Sequence, residues 1–227
     1  MLDLIDEWGP EKVVVVSDRR TCMRGVLVID NTARGMGKGG TRMGPHVTVE
    51  EVARLARTMT WKWAASGLFH GGAKAGIVAD PQGQDKEAVL RAFARALSNE
   101  VPAEYVFGLD MGLTEDDAAI LVDELGTRGG AVGLPRSLGG LPYDELGVTG
   151  FGVAEAVDAG ATFIGLELKG ATVAIQGFGA VGAAAAQRLD ELGAVVVSIA
   201  TSEGSVTDAE VLMSNSLSSC DDNTETG

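Results

Sequence analysis

Two kinds of hydrophobic spacing alternate along this chain. Short β-branched runs come first: Lys12–Val16 reads KVVVV and Gly25–Ile29 reads GVLVI, with Asp18, Arg19 and Arg20 between them. Such runs, separated by polar turn residues, predict a hairpin or a pair of neighbouring strands. Thr48 and Glu51 then make a capping-box pair. After them Val52, Leu55, Ala56, Met59 and Trp63 recur at the spacing of one helix face. The helix is predicted to end near Ser66-Gly67, with Lys62 sharing the buried stripe of Leu55 and Met59. Ile77-Val78-Ala79 predicts a strand, closed by the turn residues Asp80-Pro81. Asp85 is placed to cap a further helix whose inner face holds Ala88, Val89, Ala92, Phe93, Ala96 and Leu97. Tyr105-Val106-Phe107 reads as a short strand, and Thr114-Glu115-Asp116-Asp117 as the start of a helix that Gly126 stops.

From Gly126 to Gly147 the periodicity fails, and a glycine-rich stretch with two prolines, Pro135 and Pro142, predicts an irregular connection. A helix is expected from Thr149 towards Gly160. Lys169–Gln176 then reads as a strand, Gly177–Gly182 as a turn, Ala183–Leu192 as a helix and Ala194–Ala200 as a second strand. That is one βαβ unit. Past Val206 the chain is polar and aperiodic. The expected fold class is therefore α/β, with an α/β domain over 1–147, a partial doubly wound dinucleotide domain over 148–206, and a polar, disordered tail over 207–227. The second unit is short of the ~100–150 residues of a full doubly wound domain, which implies a C-terminally truncated one.

Composition narrows the setting. At 227 residues and 45% hydrophobic the chain has enough apolar material for a packed core. No run of about 18 apolar residues predicts a membrane span, and the acidic start MLDLIDEWGPEK does not have the plan of a secretory signal. Cys22 and Cys220 form neither a metal spacing nor a disulfide framework, so a reduced, cytoplasmic setting is expected, with no metal. The formal net charge of −14 repels nucleic acid and anionic membranes. Acid excess with scarce lysine also suits a salt-rich, halophilic cytoplasm, where self-repulsion is screened.

Against that background the few lysines stand out: Lys12, Lys38, Lys62, Lys74, Lys86 and Lys169. Lysine side chains ordinarily keep their ammonium in water, and a desolvated one loses proton affinity. Lys62 falls on an apolar helix face, and Lys74 lies inside Gly-Gly-Ala-Lys-Ala-Gly ahead of a strand. Together they suggest a pocket that holds an anion and moves a proton. Lys38 lies in Gly35–Gly40, where four glycines in six residues allow either a close backbone approach or a flexible loop. Asp110 sits at the carboxyl end of a strand between Gly108 and Gly112, where α/β enzymes place reactive groups. Gly177-Phe178-Gly179-Ala180-Val181-Gly182 follows a strand and opens a helix, the context that makes a G-x-G-x-x-G run a dinucleotide fingerprint. The acid that normally holds the ribose hydroxyls is replaced by Thr201, with Glu203 two residues on. NAD and NADP both stay open.

With these residues in view, the chain resembles the glutamate/leucine/phenylalanine/valine dehydrogenase superfamily, and within it the glutamate branch. The resemblance runs from about Lys12 to Val206 and rests on motifs in the family's order: KGGTRM at 38–43, MTWK at 59–62, GGAKAG at 71–76, LDMG at 109–112 and VTGFGV at 148–153, ahead of the fingerprint. It implies an N-terminal substrate and oligomerisation domain followed by a Rossmann domain. It also implies that Lys74 is the catalytic lysine and that Asp110 exchanges protons with the substrate amine. Lys62 would pair the α-carboxylate and Lys38 the side-chain carboxylate, with Gly39, Gly40 and Met59 lining the substrate site. Thr149 would lie near the nicotinamide, and Gly177 to Gly182 with Thr201 along the cofactor. The expected reaction is L-glutamate to 2-oxoglutarate and ammonium with NAD or NADP, in a homo-oligomer built through the first domain. Two alternatives accompany it: a leucine or branched-chain amino-acid dehydrogenase, and a non-catalytic truncated subunit that assembles with full-length homologues.

Overall fold

The computed structural model describes residues 2–207. They form two compact units, one ending at Pro142 and one beginning at Tyr143.

The first unit is built on one mixed sheet. Strand β1 (Lys12–Asp18) and strand β2 (Met23–Asn31) pair antiparallel, Lys12 opposite Ile29 and Asp18 opposite Met23, as the hairpin pattern predicts. The turn between them passes through Cys22 at φ 55. The Gly-rich segment is not a loop. It forms β3 (Gly37–Lys38) and β4 (Thr41–Gly44), and both lie parallel to β5 (Gly71–Val78). Lys74 is thus inside the strand rather than ahead of it. β6 (Tyr105–Val106) flanks β3 on the far side, so the order is β1-β2-β5-β3-β6 with β4 also on β5.

Helix α1 (Val49–Ala65) starts where Thr48 accepts the Glu51 amide at 3.1 Å. It packs through Val52, Ala53 and Ala56 onto Val26 and Val28. The opposite face of the sheet, with Leu27, Ile29, Ala73, Ala75 and Ile77, is covered by α2 (Lys86–Ala96) and α3 (Glu115–Leu125). Two local expectations change here. Asp85 precedes α2 without a side-chain cap, and the buried face of α2 includes Leu90 and Ala94 while Ala88 and Ala96 are exposed. Thr114 and Gly126 do bound α3, with Gly126 in the left-handed region at φ 64. Two short helical turns, Arg128–Gly130 and Arg136–Leu138, break up the irregular connection that follows.

The second unit holds α4 (Val148–Phe163), β7 (Thr172–Gln176), α5 (Ala180–Glu191) and β8 (Val195–Ala200). β7 and β8 are parallel, as a βαβ unit requires. A third strand, β9 (Ser205–Thr207), adds to β8 antiparallel. Thr207, assigned by its polarity to the tail, is therefore part of this sheet; the rest of the expected tail lies outside the described residues. Among the described residues, no helix is long and apolar enough to cross a membrane.

Candidate active site

Strand alternation builds the site of the first unit. On β5, period two puts Gly72, Lys74 and Gly76 on the face towards α1 and Ala73, Ala75 and Ile77 on the other. The two glycines admit the helix. A Cβ on Gly72 would lie 2.0 Å from Thr60 Oγ1 and 2.6 Å from the Ala56 carbonyl, and one on Gly76 2.6 Å from Val52. Lys74 between them is 5% exposed.

The break between β3 and β4 faces this lysine. A Cβ on Gly39 would sit 1.8 Å from the Ala73 carbonyl and 3.1 Å from Met59. One on Gly40 would meet the Leu109 carbonyl and the Asp110 Cβ. Residues without side chains are needed there because three backbone segments converge. Tyr105, fully buried, props the break from behind: its hydroxyl donates to the Gly39 carbonyl at 2.9 Å and lies 3.2 Å from Thr41 Oγ1. Burial holds the Tyr105 phenol well above its usual range, so it remains a donor.

That convergence brings Asp110 to Lys74. Lys74 Nζ is 2.8 Å from Asp110 Oδ2, and Arg42 Nε reaches the same oxygen at 3.0 Å while its other end meets Glu51 at 2.6 Å. Burial lowers the proton affinity of Lys74, with the positive charges of Arg42 and Lys62 adding to it, and Asp110 offsets only part of this. For Asp110, burial alone would raise the pKa; Lys74 and Arg42 outweigh it and hold the carboxyl below its usual value. The result is a carboxylate that stays ionised beside a lysine that gives up its proton unusually readily.

The other two lysines meet at a residue that the sequence pattern assigned to the core. Trp63 is half-buried. Its ring lies 5.1 Å from Lys62 Nζ and 6.0 Å from Lys38 Nζ, and its indole N–H donates to the Lys38 carbonyl at 2.9 Å. Lys62 itself is exposed, not buried as predicted. The tightly packed face of α1 runs through Val52, Ala56 and Thr60 because only small residues fit over Gly72 and Gly76. Lys62 is about 120° round from Ala56 at 3.6 residues per turn. The Leu55–Met59–Lys62 stripe is a half-buried flank of the helix. Among the described residues Lys12, Lys74 and Lys86 are ion-paired, whereas Lys38, Lys62 and, in the second unit, Lys169 are not. Arg42 is a site residue that the sequence pattern does not reveal: it faces Gly76 on β5 as Lys38 faces Gly72, an alignment set by strand pairing across the break.

In the second unit the fingerprint residues gather at the carboxyl ends of β7 and β8. The Gly177 amide bonds the Ala200 carbonyl at 2.8 Å, which sets Thr201 beside the turn. A Cβ on Gly182 would strike the Gly177 carbonyl at 1.9 Å, while at Gly177 (φ 89) and Gly179 it would point into open space. Helix α5 begins at Ala180, earlier than expected, and Gly179 gives its first amides no side-chain cap. Phe178 is half-buried against Ile199 and its neighbours, and Ala180 and Val181 are exposed. Thr149 is exposed in the first turn of α4; next to it, Gly150 packs against Val181 and Ala184 of α5. Thr201 closes the β8–β9 turn through its bonds with Gly204 and Glu203. Open space at two glycines, before uncapped helical amides, fits a pyrophosphate.

Both units match known protein families. The family described as Glu/Leu/Phe/Val dehydrogenase, dimerisation domain, matches residues 10–127, and the one described as Glutamate/Leucine/Phenylalanine/Valine dehydrogenase matches residues 139–226. Glutamate dehydrogenase B of Halobacterium salinarum is 36% identical over 82% of this chain and 46% of its own length. Valine dehydrogenase of Streptomyces virginiae is 35% identical over 88% of this chain and 56% of its own. A crystal structure of hetero-hexameric glutamate dehydrogenase from Thermus thermophilus (Leu bound form) superposes with a TM-score of 0.82 at 34% identity, covering 96% of this chain and 56% of that one. The chain spans about half the length of the curated relatives it matches.

Proposed function

The chain belongs to the glutamate/leucine/phenylalanine/valine dehydrogenase family, whose members use NAD or NADP, and from that premise we propose that its site is built for L-glutamate. The observation that carries this reading is that two lysines without ion-pair partners share one indole ring. In a chain of net charge −14, acids abound to neutralise a lysine. Yet Lys38 and Lys62 flank one indole ring unpaired, beside a buried lysine and a carboxylate. Two free cations match two carboxylates. Lys62 takes the α-carboxylate and Lys38 the side-chain carboxylate, through charge-assisted hydrogen bonds that are stronger than neutral ones. Met59, Gly39 and Gly40 line the floor between them.

The chemistry follows from the buried pair. Asp110, kept ionised by Lys74 and Arg42, accepts a proton from the substrate ammonium and returns it in the reverse direction. Lys74, with its lowered proton affinity, takes a proton from an attacking water and supports the oxyanion that develops at the α-carbon, as general acid–base catalysis requires of a group poised nearer neutrality. NAD or NADP, when bound, would supply the hydride acceptor; Gly177, Gly179 and Gly182 would hold its pyrophosphate, with Phe178, Ala180, Val181, Thr149 and Thr201 around it. The residues that match the dimerisation domain carry assembly into a homo-oligomer.

Lys38→Leu is the direct test, read as glutamate-dependent reduction of NAD(P) and as 2-oxoglutarate binding by calorimetry. Both should fall by about 100-fold, the scale of removing one charge-assisted contact from a closed site, while leucine becomes a better substrate or ligand. Unchanged glutamate turnover or 2-oxoglutarate affinity refutes the assignment. The valine dehydrogenase relative, at nearly the same identity as the glutamate dehydrogenase, supports a second reading in which the substrate side chain is apolar. That reading wins if the wild type prefers leucine or valine to glutamate.

A further inference from the structure

We propose that Trp63 is a positioning residue that gathers Lys38 and Lys62 at one ring and so selects two-carboxylate substrates over one-carboxylate ones. The inference rests on the dicarboxylate reading above and adds to it a residue that neither donates to the substrate nor takes part in its chemistry. Lys38 is half-buried and Lys62 is exposed. Long ammonium side chains in such places hold many rotamers, and fixing two of them at one spacing has an entropic cost at the moment of binding. An aromatic face reduces that cost in advance, because its negative quadrupole attracts a cation within about 6 Å. Here one ring serves both: 5.1 Å to Lys62 Nζ and 6.0 Å to Lys38 Nζ.

The ring is itself held. His70 packs edge-on to it with centroids 5.4 Å apart at 66°. The indole N–H bonds the Lys38 carbonyl, immediately before the Gly39–Gly40 break where the backbone is most permissive. Trp63 therefore has two separable effects. The N–H fixes the main chain of Lys38, and the π face gathers the two ammonium groups.

The test uses the full chain and two five-carbon probes, glutarate and valerate, which differ by one carboxylate. Binding of each is measured by calorimetry for the wild type, Trp63→Phe and Trp63→Leu. Each lost cation–π contact should weaken its carboxylate about threefold. Trp63→Leu should then lose about tenfold for glutarate and about threefold for valerate, shrinking the preference between them. Trp63→Phe, which keeps a ring and drops the N–H, should fall between, and its near-native bulk provides a readable variant if Trp63→Leu does not fold. An equal loss for both probes means a merely structural tryptophan and overturns the proposal. So does unaltered glutarate affinity in either folded variant. A wild type that fails to prefer glutarate over valerate instead refutes the dicarboxylate reading itself, and the role of Trp63 with it.

Discussion

At the scale of single residues, Lys74 is set by three opposed influences whose signs differ. Burial and the charges of Arg42 and Lys62 lower its proton affinity, and Asp110 raises it. Two variants should therefore move its titration in opposite directions. Asp110→Asn removes the one favourable partner, so Lys74 should lose its proton at a lower pH than in the wild type. Arg42→Gln removes a repelling charge, so Lys74 should hold its proton to a higher pH. The pH dependence of Lys74 modification by an amine-reactive label, followed by mass spectrometry, reads both without requiring turnover. Shifts of the same sign would mean that the ion pair does not control this lysine. That Lys74 and Asp110 are candidates for chemistry was legible from their glycine neighbours. That Arg42 joins them was not, because an arginine in a glycine-rich stretch reads as solvated until the strand partner that aligns it is known.

At the scale of elements, the helices α1 and α3 were legible almost to the residue, and β1 and β2 to within two residues at their ends. The strands β3 and β4 were not. Four glycines carry no apolar signal, and what makes them strands is pairing with β5 and the 105–111 segment, which local pattern does not contain. The same blindness misplaced Lys62. The hydrophobic stripe of α1 shows which residues are apolar, but which face packs is decided by the glycines of β5 that meet it. Gly72→Ala tests that decision. Its Cβ would fall 2.0 Å from Thr60 Oγ1 and 2.3 Å from the Thr60 amide, so α1 must lift. The expected destabilisation is about 1–3 kcal/mol, the range for overpacking a tight core, measured by denaturant unfolding. A Gly72→Ala variant as stable as the wild type would show that α1 does not rest on this strand.

For the whole molecule, charge is the dominant variable. Many arginines and lysines are engaged in ion pairs, such as Arg57 with Asp6 and Asp30, Arg91 with Asp123, and Arg188 with Glu155, and a net −14 remains. Raising sodium chloride from about 0.1 to about 1 M shortens the screening length from roughly 10 to 3 Å. The melting temperature should rise as self-repulsion is damped, and a flat profile would remove the salt-adapted reading. The alternation along β5 has a consequence on a longer timescale. Its two faces cannot drift alike. On the side away from α1, Ile77 faces a core in which apolar residues of similar volume interchange at under about 1.5 kcal/mol. On the α1 side Gly72 and Gly76 admit no heavier neighbour, and the buried Lys74 is tied to the fold by its pair with Asp110, a pair that apolar residues can replace without loss of stability when both partners change. A lineage released from catalysis but still required to fold would keep both glycines and lose the lysine between them together with its partner Asp110, so on β5 position 74 would record when the reaction was abandoned.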